Sequence, residues 1–463
     1  MQARPARLRT LVAILLSIAL LAMSAGPGLP LADDPVYGAS QPATFPSDQI
    51  FQAHNIEVRP GMRTLNPAQD AQVQQAIAGL KPVRYACQSN VNPRPILCYG
   101  PYQVRNAYGV SGLLARQITG RGATIAVVDA YGSPTIRKDL QAFNTAWGLP
   151  QAQLHISAPF GVHGSTGPWV SETSLDIEWV HAMAPGATIN LVLARTSSDV
   201  DLYKALAYVV RHNLGDIVSL SFGENERCVD PRLRLAEHRT LKEAVSKGMT
   251  VLVATGDYGS AQLSCDNGSY QQAVAYPAAD PLVTAVGGTA LTADALTGRY
   301  IGETAWNESV AFSKATGGGY SRLYAAPSYQ RGLRGVTGGR GVPDISLNAA
   351  ISGGVLVYEH NRQTDRTTIN IMGGTSVATP ELAGILADAV QLAHHRLGAI
   401  NPALYRLGRS KLYAQTMHDI FSGDNMLASA GLSGYAAAPG WDPTTGWGSL
   451  RRAAAFLQAL IAR

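Results

Sequence analysis

The chain has 463 residues, 46% of them hydrophobic, which is ample for a large buried core. Its formal charge of +5 falls to +2 once Arg4, Arg7 and Arg9, which precede the first acidic residue, are set aside, so the basic balance gives no reason to expect a nucleic-acid partner.

Those arginines precede an apolar run, Leu11 to Ala25, that is short for a membrane span. Ala22, Ser24 and Ala25 follow the small-residue pattern of a cleavage site, with Ala32 as a second candidate. This is the pattern of a secretory signal peptide over 1–25, with cleavage as late as 32, and it predicts a secreted, extracellular chain. No later stretch is apolar for long enough to span a membrane, so no membrane association is expected after cleavage, and a monomer is expected. Residues 33–95 are rich in Pro, Asn, Gln and Ala, with one plausible helix at 68–80, and read as an extended leader or short pro-segment. The globular part is expected over 99–463. Four cysteines in an exported chain suggest two disulfides; of three connectivities, the nearest-neighbour choice is Cys87–Cys98 and Cys228–Cys265.

From Tyr99 onward strands and helices alternate. TIAVVDA, Thr124 to Ala130, is a continuous apolar strand, and a helix follows over 135–147. Further strands are expected at 187–194, 216–221, 250–254 and 282–286, with helices opening at Ser198, where Asp201 would complete a capping box, and near Pro231. Apolar strands separated by helices predict an α/β domain, a mostly parallel central sheet with helices on both faces. The region 291–341 is Gly-rich and less regular.

G-G-T-S-V-A-T-P, Gly373 to Pro380, lies between a β-type segment at 367–371 and an apolar helical run at 378–392. Ser376 therefore falls at a helix N-terminus, where backbone N–H groups lack partners and the dipole is positive. A serine there can attack a carbonyl while its own N–H helps hold the oxyanion. The bland alternative is a loop and a capped helix.

Two kinds of partner could activate it. Asp129, His163 and Ser376 follow the chain order of a Ser-His-Asp site, but the Gly and Pro after His163 oppose the helix that should carry the histidine. Alternatively, Glu172 and Asp176 sit at i,i+4 on a predicted helix, on the same face as Trp179 and Met183. Two close carboxyls that cannot both ionise share a proton, giving a base poised at acidic pH; the competing reading is a solvated helix edge. Asp257 follows the buried strand VLVA in a Gly-flanked loop, at the strand end where α/β sheets bind ligands. A neutral carboxylic acid there could donate a hydrogen bond to an oxyanion; the competing reading is a common turn.

At these residues the chain resembles the sedolisin, or serine-carboxyl peptidase, family. The resemblance rests on E-x-x-x-D at Glu172/Asp176, the Gly-Asp at Asp257 and G-T-S-x-x-x-P at Ser376, with A-P-G-A at Ala184, G-G-G-Y-S at Gly317 and V-P-D-I-S at Val342 in support. It implies a subtilisin-like fold and an endopeptidase acting on proteins or peptides, with Ser376 as nucleophile, Glu172 as base, Asp176 as its partner and Asp257 as oxyanion donor. Asp129 stands where relatives often carry an acid linked to the glutamate. The resemblance also implies one Ca²⁺, held by the carboxylates of Asp419 and Asp442 and the carbonyls of Ile420, Ala438 and Gly440. One departure is the stretch before the catalytic region, much shorter than the family's long folded pro-domain. The remaining alternative is an inactive secreted relative serving as a binding protein.

Overall fold

Strand Thr124–Ala130 lies inside an eight-stranded sheet, and the alternation of its side chains organises everything around it. In chain order the strands are β1 Thr124–Ala130, β2 Gln153–Ser157, β3 Thr188–Ala194, β4 Ile217–Leu220, β5 Thr250–Ala254, β6 Thr284–Ala293, β7 Tyr300–Ala305 and β8 Ile345–Asn348. They run in the order β7-β6-β5-β4-β1-β3-β2, with β8 also paired to β6. All pairings are parallel except β6 with β7. The computed structural model describes residues 61–64, 86–88, 98–164 and 167–462; the signal sequence and the expected helix at 68–80 lie outside them.

Five helices cover the sheet: α1 Ile136–Trp147, α2 Pro168–Met183, α3 Asp199–Arg211, α4 Pro231–Ser246 and α5 Thr375–Ala393. Successive residues of a strand face opposite sides. Ile125 and Val127 of β1 accordingly join the core built with α1, α2 and α5, while Ala126 and Val128 join the one built with α3 and α4. Helices therefore lie on both faces, as the apolar strands predict. By the same alternation Asp129, at the carboxyl end of β1, faces the side of α2 and α5.

Ser198 caps α3 by accepting from Asp201 N–H at 3.2 Å, but only half of the expected box forms. Asp201 turns its carboxylate to Thr196 and Lys204, and the Ser198 N–H goes to the Thr196 hydroxyl instead. The strand expected at 282–286 is longer, because β6 continues to Ala293 by pairing with β7. The Gly-rich region after it contains β7 and a pair of strands, Gly319–Ala325 with Gly339–Val342.

A second sheet of four strands joins Gly61–Thr64, Arg366–Gly373, Gly354–Asn361 and Cys98–Tyr99. Gly61–Thr64 pairs antiparallel with 370–373, so part of the expected leader is an edge strand of the sheet that runs into the Ser376 turn. The disulfides are Cys87–Cys98 and Cys228–Cys265, the nearest-neighbour pairing.

Candidate active site

Helix α2 runs through the core. Gly167, at φ +74°, and Pro168 start it, and every residue from Ser171 to Met183 is buried. Glu172 and Asp176 have no exposed surface at all, so they are not on a solvated edge. The helix packs against α5, and Gly384 sets how closely: a Cβ there would lie 2.5 Å from Met183 Cβ and 2.9 Å from the Val180 carbonyl oxygen.

Ser376 is the second residue of α5. The chain enters the helix through Gly374, at φ +130°, where a Cβ would stand 2.8 Å from Asp257 Oδ2. Asp257 reaches in from the loop after β5 and caps the helix from outside. Its Oδ1 accepts from the Thr375 N–H at 2.9 Å and from the Thr375 hydroxyl at 3.0 Å. That hydroxyl accepts in turn from the Gly256 N–H at 3.0 Å. By position the Ser376 N–H is one of the first-turn donors without an intrahelical acceptor.

Ser221, just past the end of β4, links the nucleophile to the acids. Its hydroxyl donates to Asp176 Oδ1 at 2.9 Å, and its carbonyl accepts from the Ser376 hydroxyl at 3.4 Å. Among the described residues no oxygen of Glu172 or Asp129 makes a well-formed hydrogen bond, and neither does Asp176 Oδ2. Such a group favours its neutral form. Burial raises the Glu172 carboxyl well above its usual range, and the charges of Asp129 and Asp257 add to this. The Ser376 hydroxyl and the Lys314 ammonium act the other way. Asp176 is likewise raised well above its usual range, first by burial and then by Asp129 and Glu172. Burial raises Asp129 to about 7, with Thr173 and Asp176 opposing it. Asp129, Glu172 and Asp176 thus form one group of acids that holds protons in common.

The cleft in front of Ser376 is lined by Ser221, Phe222, Gly223, Gly256, Asp257, Tyr258, Lys314 and Thr375, among others. His163 is not part of it. His163 lies in an exposed loop, with its Nε2 at 2.9 and 2.7 Å from the Arg195 guanidinium. The structure brings Ser376, Glu172, Asp176 and Asp257 together and leaves His163 outside. Ser221 and Lys314, also here, were not singled out in the sequence. Ser221 carried a weak signal, a polar residue closing an apolar strand; Lys314 carried none.

The C-terminal loops bring the other expected residues together. Both oxygens of Asp419 lie 3.0 Å from the Gly440 nitrogen, and Asp442 Oδ2 accepts from the Ala438 N–H at 3.1 Å. Asp442 Oδ1 accepts from Thr444 and Thr445 N–H, and the Thr445 hydroxyl also reaches Ile420 O at 3.4 Å. Burial raises the Asp442 carboxyl to about 6. Among the described residues neither aspartate makes an ion pair. Two carboxylates on neighbouring loops are oxygen donors of the kind a hard divalent ion takes, although each here accepts from backbone N–H groups of those loops.

The subtilase family's sequence profile matches residues 156–428. Kumamolisin of Bacillus sp. strain MN-32 is 35% identical over 372 residues, covering 76% of this chain and 62% of that protein. Sedolisin of Pseudomonas sp. strain 101 is 32% identical over 348 residues, covering 72% of this chain and 57% of that protein. The chain thus spans about three fifths of the length of these curated relatives. Among solved structures, Pseudomonas sedolisin, a serine-carboxyl proteinase complexed with two molecules of pseudo-iodotyrostatin, matches with a TM-score of 0.67 at 31% identity, covering 78% of this chain and 98% of that one. With its α/β sheet, its Ser376 turn and its buried acids, the chain belongs to the subtilase family, in the sedolisin branch.

Proposed function

We propose that the chain is a secreted serine-carboxyl endopeptidase that hydrolyses proteins and peptides at acidic pH. The observation that carries this reading is the complete burial of Glu172 and Asp176 on a helix packed against the one that bears Ser376. In this scheme Ser376 Oγ attacks the substrate carbonyl carbon and its proton passes to the Glu172 carboxylate. Asp176, held by Ser221, shares a proton with Glu172 and Asp129 and keeps the group's charge low. The oxyanion is met by the Ser376 N–H and by Asp257 in its neutral form. Glu172 then returns the proton to the leaving amine as the C–N bond breaks, and water, activated by Glu172, releases the acyl group from Ser376.

Residues 1–25 would direct export, and 33–95 would act as a leader before the peptidase domain at 99–463. Asp419, Ile420, Ala438, Gly440 and Asp442 would hold one Ca²⁺, whose part is to tie the C-terminal loops together. A Ser-His-Asp reading with Asp129 and His163 has no support in the placement of His163, which pairs with Arg195 away from the cleft.

The test is protein hydrolysis against pH for wild type, Ser376→Ala and His163→Ala. Ser376→Ala should be inactive and His163→Ala unchanged, with wild-type activity falling toward neutrality as the acid group loses its shared protons. A neutral histidine base would give the reverse, a rise through about pH 6.5. An optimum above about pH 8 would rule the carboxyl scheme out.

A further inference from the structure

Lys314 comes from the segment leading into the Gly-Gly-Gly run and has no place in the scheme above. Its backbone is stitched to the Asp257 loop. Ala315 N–H donates to Asp257 O at 3.1 Å, Gly259 N–H to Ala315 O at 3.0 Å, and Gly317 N–H to Gly256 O at 2.7 Å, while Lys314 O accepts from Glu308 N–H at 2.9 Å. The side chain is only 12% exposed. Its Nζ lies 3.9 Å from Asp257 Oδ2 and 4.5 Å from the centre of the Tyr258 ring. A lysine usually keeps its head in water; this one is held over a ring and against a carboxylate, in the cleft that Ser376 lines.

The ionisable groups that act on the ammonium include Asp257 and Tyr258 from one loop and Glu172 from α2. Glu308 turns its carboxylate away, to the N–H groups of Ile351 and Ser352 and the Trp306 indole.

We propose that Lys314 is a second oxyanion-binding residue, whose ammonium takes up charge on the tetrahedral intermediate beside Asp257. The inference rests on Ser376 being the nucleophile. A carboxylic acid can serve an oxyanion only while it keeps its proton, and as a carboxylate it opposes the developing charge. An ammonium beside the same carboxyl supplies N–H donors and a full positive charge, and it offsets Asp257 when that group is ionised. No proton is transferred from Lys314; it binds the oxyanion as it forms and is released as the C–N bond breaks. Oxyanion binding in this chain then no longer depends on the Asp257 proton alone.

The experiment compares wild type with Lys314→Met, Lys314→Gln and Lys314→Arg on a peptide without acidic residues, from about pH 3 to 8. Both uncharged variants should lose about a hundredfold in kcat with little change in KM, as removal of an oxyanion donor does. Their alkaline limb should also move to higher pH, because the ammonium opposes the upward shift of the Glu172 carboxyl and its loss lets the acid group hold its protons longer. Lys314→Arg, which keeps the charge, should recover most of the activity and the wild-type limb. The melting temperature identifies any variant that fails to fold, and the other uncharged variant then decides. Uncharged variants with wild-type kcat and limb would overturn the proposal. So would an effect confined to KM for peptides with acidic side chains, which would make Lys314 a substrate-side-chain contact. If Ser376→Ala is as active as wild type, the peptidase reading itself fails; if Ser376→Ala is dead and Lys314→Met is normal, only this inference does.

Discussion

Replacing Glu237 with glutamine should stabilise the protein near pH 8 and change little near pH 4. Glu237 sits on α4, away from the cleft, and is 6% exposed. Burial, the charges of Asp280 and Glu224 and, less strongly, that of Asp199 raise its carboxyl from 4.5 to about 8, against a bond from Tyr276. The neighbouring His238 spends its charge on Asp280, at 2.6 Å. The folded chain therefore holds the Glu237 proton to higher pH than the unfolded chain does. A group raised in this way contributes stability that is fully present below its unfolded value and is lost as pH rises through its folded value. Over the window from 4.5 to about 8, at about 1.4 kcal/mol per pH unit, the loss comes to about 5 kcal/mol. That is a large share of the roughly 5–15 kcal/mol that holds a domain folded.

The amide of Glu237→Gln cannot ionise, so the variant should escape this loss. Urea unfolding at fixed ionic strength, in a Ser376→Ala background to prevent self-digestion, gives the free energy at each pH. The wild-type curve should fall from acid to alkali more steeply than the variant's, and the two should diverge by several kcal/mol near pH 8. Parallel curves would refute the reasoning, since they would mean that Glu237 titrates alike in both states.

Glu172→Gln and Asp176→Asn should each lower kcat by about a hundredfold or more, the usual cost of losing general-base catalysis, measured against Ser376→Ala as the inactive reference. Chelation should lower the melting temperature by removing an ion bound only to the folded state, and Asp442→Ala should abolish that dependence; curves indifferent to chelator and added Ca²⁺ would remove the site. Gly384→Ala would drive a methyl against Met183 and the Val180 carbonyl, so it should cost about 1–3 kcal/mol of stability and lower kcat by parting α2 from α5. A Gly384→Ala protein with normal stability would mean that the two helices can separate freely.

Ser376 was legible because two glycines before an apolar run mark a sharp entry into a helix, and the structure forms that entry at Gly374. The strands of the central sheet were legible because they are buried on both faces and so read as continuous apolar runs. The spacing of Glu172 and Asp176 was visible, but their burial was not. Acids one turn apart read the same on a wet helix edge, and what buries their helix is chain far away in sequence, α5 and the strand Gly354–Asn361. Lys314 was invisible for a similar reason. Its position depends on backbone bonds between two loops, and such bonds leave no mark on residue type. The pairing of Gly61–Thr64 with 370–373 also could not be read, because a four-residue edge strand in a Pro-rich leader has too few positions to show alternation.

The acids of the site are part of a wider pattern. Glu178, on the same helix as Glu172 and Asp176, is fully buried and raised well above the usual carboxyl range, first by burial. Glu381 and Asp388 on α5 are buried and raised in the same way. Among the described residues the oxygens of Glu381 and Asp388 make no well-formed hydrogen bond. Each is tolerable while it is neutral, when burial costs a hydrogen bond, and far less so once it is ionised, when burial strands a charge. By the sign argument made for Glu237, each contributes its stability in acid and loses it as pH rises. The burial that makes Glu172, Asp176 and Asp129 hold protons in common is thus the same burial that makes the surrounding fold favour acid. A substitution confined to the site, such as Glu172→His to install a base for neutral pH, would leave Glu178, Glu381 and Asp388 in place. The resulting protein would carry chemistry suited to neutral pH on a scaffold that weakens as neutrality is approached, so moving the working pH requires replacing the structural acids together with the catalytic one.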